Sequence, residues 1–129
     1  MDLARDNGRL FFVLGCFFAF MAVALGAFAA HALKSRLAPD LMAIFEVGVR
    51  YHMYHAFALF AVAWAYGRWP ETTFSIPGLL FSAGIVLFSG SLYILSLTGL
   101  RWLGAVTPIG GLCFLLGWFF LAVKVWQSK

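Results

Sequence analysis

The chain has 129 residues, of which 64% are hydrophobic and 11% charged, and its mean hydropathy is +0.94. A soluble domain carries about a quarter charged residues, so this chain has too little polar surface to coat a water-soluble globule; the composition is that of one small membrane domain. The formal net charge of +4 comes from Lys and Arg at the ends of apolar segments, not from a basic stripe, which excludes a nucleic-acid binder.

The first apolar run, Leu10 to Ala30, holds no charge and is longer than the about 7 to 15 residues of a signal-peptide core, so it reads as an uncleaved span. "KSRLAPD" (Lys34–Asp40) is a short loop whose aspartate is a candidate N-cap for the second helix. The second span contains "EVGVRYHMYHA" (Glu46–Ala56), a cluster of polar and ionisable groups inside apolar sequence. "GRWPETTFSIP" (Gly67–Pro77) is a polar connector, and "TGLR" (Thr98–Arg101) is a tight turn between the third and fourth spans. The spans are expected at about 10–33, 41–66, 77–97 and 102–125.

Only helices and closed barrels satisfy their backbone groups in lipid, and long non-alternating runs mean helices. Short loops make neighbours antiparallel. The expected fold is therefore all-α, a four-helix transmembrane bundle with up-down topology, occupying residues 1–129 as a single integral membrane domain. One side receives Arg5, Arg9, Arg68, Lys124 and Lys129, and the other Lys34, Arg36 and Arg101. That bias places both termini in the cytoplasm.

Small residues mark expected helix-packing faces: Ala22, Gly26 and Ala30 in span one; Ser82 and Gly90 in span three; Gly104, Thr107 and Gly111 in span four. Counting from the span ends puts polar residues of all four helices at similar depth. His31, Glu46, Arg50, Tyr93 and Thr107 form the expected polar cluster, either a ligand site or a structural staple. Glu46 and Arg50 are four apart, with the acid N-terminal, and are expected to pair and face inward, with His31 or Tyr93 as third members.

Tyr51, His52 and His55 form a second polar group. The histidine spacing suits a metal, but no third ligand shares that face. Haem would need a second axial histidine, and His31 lies at another depth. No metal and no cofactor is expected, and these side chains are expected to hydrogen-bond across helices. His55 could carry a proton, but a relay to the inner surface is broken. Cys16 and Cys113 differ in depth and are expected to stay unpaired. No G-x-S-x-G, Walker A or H-E-x-x-H motif is present, so no enzymatic activity is expected.

"ALGAFAAHAL" (Ala24–Leu33), "GVRYHMYHA" (Gly48–Ala56), "LFSGSLY" (Leu87–Tyr93) and "TPIGGLCFLLGW" (Thr107–Trp118) give one signature per helix. Together they resemble the YgdD/YwdK-like family of small bacterial inner-membrane proteins of unknown function. The resemblance implies a four-helix inner-membrane protein and supplies no reaction, ligand or partner. Its signatures contain His31, Tyr51, His55, Ser91, Tyr93, Thr107, Pro108, Gly110 and Gly111; Glu46 lies outside them.

Three functions follow as expectations. The first is a non-enzymatic binding or assembly component surrounded by membrane lipid, joining itself in a homo-oligomer or entering a larger membrane complex. The second is a small transporter, proton pathway or lipid-binding protein using the polar cluster. The third is a haem or quinone accessory protein.

Overall fold

The computed structural model describes residues 3–129, and among them every regular element is helical. Helix α1 (Leu3–Phe28) runs on through a π-helical turn (Ala29–Leu33). Helix α2 (Pro39–Arg68) is unbroken over 30 residues. Helices α3 (Ser75–Gly84) and α4 (Gly90–Thr98) are joined by a π-helical turn, Ile85–Ser89, into one segment. A 3-10 turn (Arg101–Ala105) leads into α5 (Thr107–Gln127).

Local chemistry sets these boundaries. Pro39 opens α2, where a missing N–H costs nothing, and Ala38 is the cap residue. Asp40 is thus not the N-cap expected from the sequence; it lies in the first turn, where its charge still opposes the helix dipole. Gly99 ends α4 in the left-handed conformation, φ 73°, and its N–H donates to Leu95 O at 2.8 Å.

Three of these segments are long and apolar enough to cross a membrane: Ala4–Leu33, Ser75–Thr98 and Arg101–Gln127. Helix α2 is as long, but Glu46, Arg50, Tyr51, His52, Tyr54 and His55 lower its apolarity. It packs along α1 on one side and the α3–α4 segment on the other, and α5 packs on α3–α4.

Neighbours are antiparallel, as their close contacts show. Gly8 of α1 meets Tyr66, Gly15 meets Phe60 and Gly26 meets Val49. Gly48 meets Tyr93 of α4, Gly84 meets Phe114 of α5, and Gly117 meets Phe81. The main core gathers Phe11, Leu59, Val62, Tyr66, Phe74, Phe81 and Phe114, and a smaller one, at the other end, holds Ala29, Leu33, Met42 and Phe45.

The packing glycines differ from those expected. Ala22 is buried and Gly26 approaches Val49, but Ala30 is exposed. A Cβ on Gly90 would meet nothing within 4 Å, and one on Gly104 only Leu95 Cδ1 at 3.8 Å. Gly104 falls in the 3-10 turn, off the α5 face, and Gly111 only brushes the Phe88 ring at 3.8 Å. The buried face of α5 is Gly110, Phe114, Gly117 and Leu121. Its glycines receive residues of α3–α4, while Gly84 receives Phe114 in return. The seam interlocks a ring with a missing side chain, so the spacing of small residues alone did not locate it.

Candidate functional site

The five residues expected to share one polar cluster separate into four places. Glu46 and Arg50 are both exposed on α2, and among the described residues neither has an ion pair or hydrogen bond. The inward-facing pair expected from the sequence is therefore corrected: the i, i+4 spacing puts both on one face, and that face lies at the bundle surface beside the end of α1, not in the interior. Glu46 borders two shallow hollows, one shared with Gly26, Ala30, Val49 and Arg50 and one with Lys34, Leu37, Pro39 and Met42. His31 is exposed on the π-helical turn after α1 and joins none of these groups.

Tyr93 reaches α2 instead. Its hydroxyl lies 3.0 Å from His52 Nδ1, and its ring packs on Phe45 with centroids 4.8 Å apart. Gly48 allows this approach, since a Cβ there would lie 2.9 Å from Tyr93 Cε1. One turn earlier, Ser89 Oγ, fully buried, donates to Gly48 O at 2.7 Å. Thr107 bonds elsewhere again, with its Oγ1 2.7 Å from Ser91 Oγ. Tyr93, Ser89 and Thr107 thus each tie one helix to the next. Tyr93→Phe is expected to remove a buried interhelical bond, lowering stability by about 1 kcal/mol in a denaturant titration of the detergent-solubilised protein.

The second group faces inward more than the first. His52 and His55 are 4% and 5% exposed, whereas Tyr51 lies at the surface. His52 Nε2 is buried without a hydrogen-bond partner among the described residues, beside the Phe18 ring. The bond between His52 Nδ1 and the Tyr93 hydroxyl can run in either direction, according to which ring nitrogen carries the proton.

His55 is fully used. Its Nδ1 donates to Tyr51 O at 2.7 Å, so Nε2 is the acceptor and takes the Trp118 indole N–H at 3.3 Å. Its ring stacks on Phe114, with centroids 3.4 Å apart and planes within 6°. Sequence reasoning missed Trp118 as a partner, because only the register of α5 against α2 brings it there. Among the described residues no three His, Cys, Asp or Glu come together as a metal site requires. Cys16 is exposed, Cys113 is partly buried, and both are free.

Between α2 and α5 runs a groove of about 740 Å³, lined by Tyr51, Tyr54, His55, Phe88, Pro108, Gly111, Leu112, Phe114, Leu115 and Trp118. Its size falls in the range of ligand pockets. The hydroxyls of Tyr51 and Tyr54 have no hydrogen-bond partner among the described residues.

Residues 25–111 match the family model described as a protein of unknown function, DUF423. The chain is 45% identical over 116 residues to the UPF0382 membrane protein YwdK of Bacillus subtilis, covering 89% of this chain and 94% of that protein. It is 42% identical over 119 residues to a UPF0382 membrane protein of Staphylococcus haemolyticus, covering 92% and 97% of the two. A UPF0382 membrane protein of Staphylococcus saprophyticus is 44% identical over 119 residues, covering 92% and 98%. No solved structure matches the chain.

Proposed function

The chain belongs to the DUF423 family, whose relatives are named membrane proteins of unknown function, and from that premise we propose that it is a non-enzymatic assembly component acting in the plane of the bacterial inner membrane. In this reading all four helical segments cross the bilayer as an up-down bundle. Helix α2 is too polar to span alone, but α1 and α3–α4 flank it and carry it across. Both termini lie in the cytoplasm, on the side richer in Lys and Arg.

One observation carries the assembly reading: Glu46 and Arg50 are exposed, and among the described residues without a partner, at a depth where lipid begins. The α1 register sets that depth. Val49 lies against Gly26, which is about 6 Å inside the end of the apolar run at Ala30. Hydrocarbon satisfies neither charge; the long Arg50 side chain can snorkel to the headgroups, whereas the shorter Glu46 gains more from a protein partner. No charge lies between Leu10 and Ala30, so the exposed face of α1 there suits lipid, and the polar exposure is particular to α2.

A second reading rests on the α2–α5 groove. The unpaired hydroxyls of Tyr51 and Tyr54, with His55 and Trp118 beside them, suit a lipid-soluble molecule carrying a polar ring, the quinone class included. Haem fits poorly, since both ring nitrogens of His55 are already hydrogen-bonded within the protein. A transport or proton route is not favoured either, because among the described residues these polar contacts are short links between neighbouring helices, not a path through the bundle.

Native mass spectrometry of the protein released in mild detergent tests these readings together. Masses above the 14.3 kDa chain that include another polypeptide are expected. A bare monomer under all mild conditions would sink the assembly reading. A small-molecule adduct lost on Tyr54→Phe would transfer support to the groove.

A further inference from the structure

The exposed face of α2 has a regular pattern. Ala43, Arg50 and Phe57 recur every seven residues, and Val47, Tyr54 and Ala61 repeat the series four residues on. Ala43, Arg50, Tyr54 and Phe57 are exposed, Val47 is half-buried, and Ala61 is half-buried against the main core. A spacing of alternating four and three residues is the 3.5-residue period of a helix seam that stays in register with a second helix along its length. Small residues, Ala43 and Ala61, stand toward its two ends and permit close approach. Glu46 stands beside the seam, one turn before Arg50.

We propose that this seam docks a second copy of the chain, two helices α2 packing side by side about a two-fold axis normal to the membrane, with Glu46 of each copy reaching Arg50 of the other. The inference rests on the assembly reading above and names its partner. Charge complementarity selects that partner. A face offering one sign would need a foreign counter-charge, but this face offers both signs one turn apart. A two-fold rotation brings each acid to the other copy's base, and membrane insertion already gives both copies the same orientation. The diagonal offset is about 6 Å along the axis, within reach of two long side chains.

The test uses the full-length protein in its native membrane, with two different affinity tags. Glu46→Arg gives a seam with two bases, and Arg50→Glu one with two acids. Each variant alone is expected to lose self-capture by about tenfold or more, because like charges now oppose one another. Co-expressed, the two variants are expected to capture each other at wild-type level, a recovery that pairing within a single helix does not produce. Self-capture of both variants at wild-type level, or equal loss in the mixed pair, overturns the proposal.

Oxidative cross-linking in a Cys16→Ala, Cys113→Ala background separates the remaining outcomes. Ala43→Cys and Phe57→Cys are expected to give a product of twice the chain mass, and the off-seam Val86→Cys none. A seam product of another mass overturns the second copy while leaving the assembly reading standing. No seam product of any kind removes both.

Discussion

Gly110→Ala is expected to be among the most destabilising single-methyl changes in the chain. A Cβ at this position would lie 2.7 Å from Phe88 Cα, and the contact is with backbone, which no rotamer change relieves. The helix would have to move off the Ile85–Ser89 turn. That movement would also withdraw Phe114 from the space left by Gly84 and Phe81 from the space left by Gly117. Overpacking of this kind costs about 3 kcal/mol, toward the upper end of the usual range. The comparison is Gly90→Ala. Nothing lies within 4 Å of the added methyl there, and the better helix propensity of alanine should make the change neutral or stabilising by up to about 1 kcal/mol. Thermal unfolding of both variants in the same detergent measures the difference. Equal stabilities would mean that α5 does not pack on α3–α4 through Gly110.

The contrast between these two glycines shows what the sequence made legible. Apolar runs and polar breaks locate the helical segments, because helix formation is set by residues close in the chain. Which face of a helix meets which neighbour is set by residues far apart. Gly90 and Gly110 look alike in sequence, but Phe88 approaches one of them and nothing approaches the other. Glu46 and Arg50 fail in the same way. Their spacing correctly puts them on one face, and the rule that buried charges pair points them inward. Helix α2, however, buries Phe45, Gly48, His52 and His55, and that choice leaves Glu46 and Arg50 outside. The expectation that the histidines and tyrosines of α2 bond across helices describes His52 with Tyr93 and His55 with Trp118. Trp118 itself was not foreseeable, since 63 residues separate it from its partner.

His55 is where structure and ligand binding can be told apart, and two substitutions do so. His55→Ala removes a ring stacked on Phe114 and bordered by Phe81, and it also removes the acceptor for the Trp118 indole. The void adjoins close-packed aromatic rings that have little room to collapse, and loss of a buried ring typically costs about 3 kcal/mol or more. His55→Phe keeps a flat ring over Phe114 and deletes only the polar contacts. Tyr51 O keeps its helical hydrogen bond, so the main loss is the unpaired indole N–H, about 1 kcal/mol in a membrane helix. The expected order of stability is wild type, then His55→Phe, then His55→Ala, read as unfolding midpoints in one detergent. Assembly through the exposed seam of α2 should survive His55→Phe, because His55 lies on the opposite, buried side of the helix. If His55→Phe instead keeps its stability but sheds a small-molecule adduct seen in native mass spectrometry, the groove holds a ligand and the histidine contacts it. If oligomeric mass and stability both persist with no adduct in either protein, His55 is a packing residue, and the function lies on the face that carries Glu46 and Arg50.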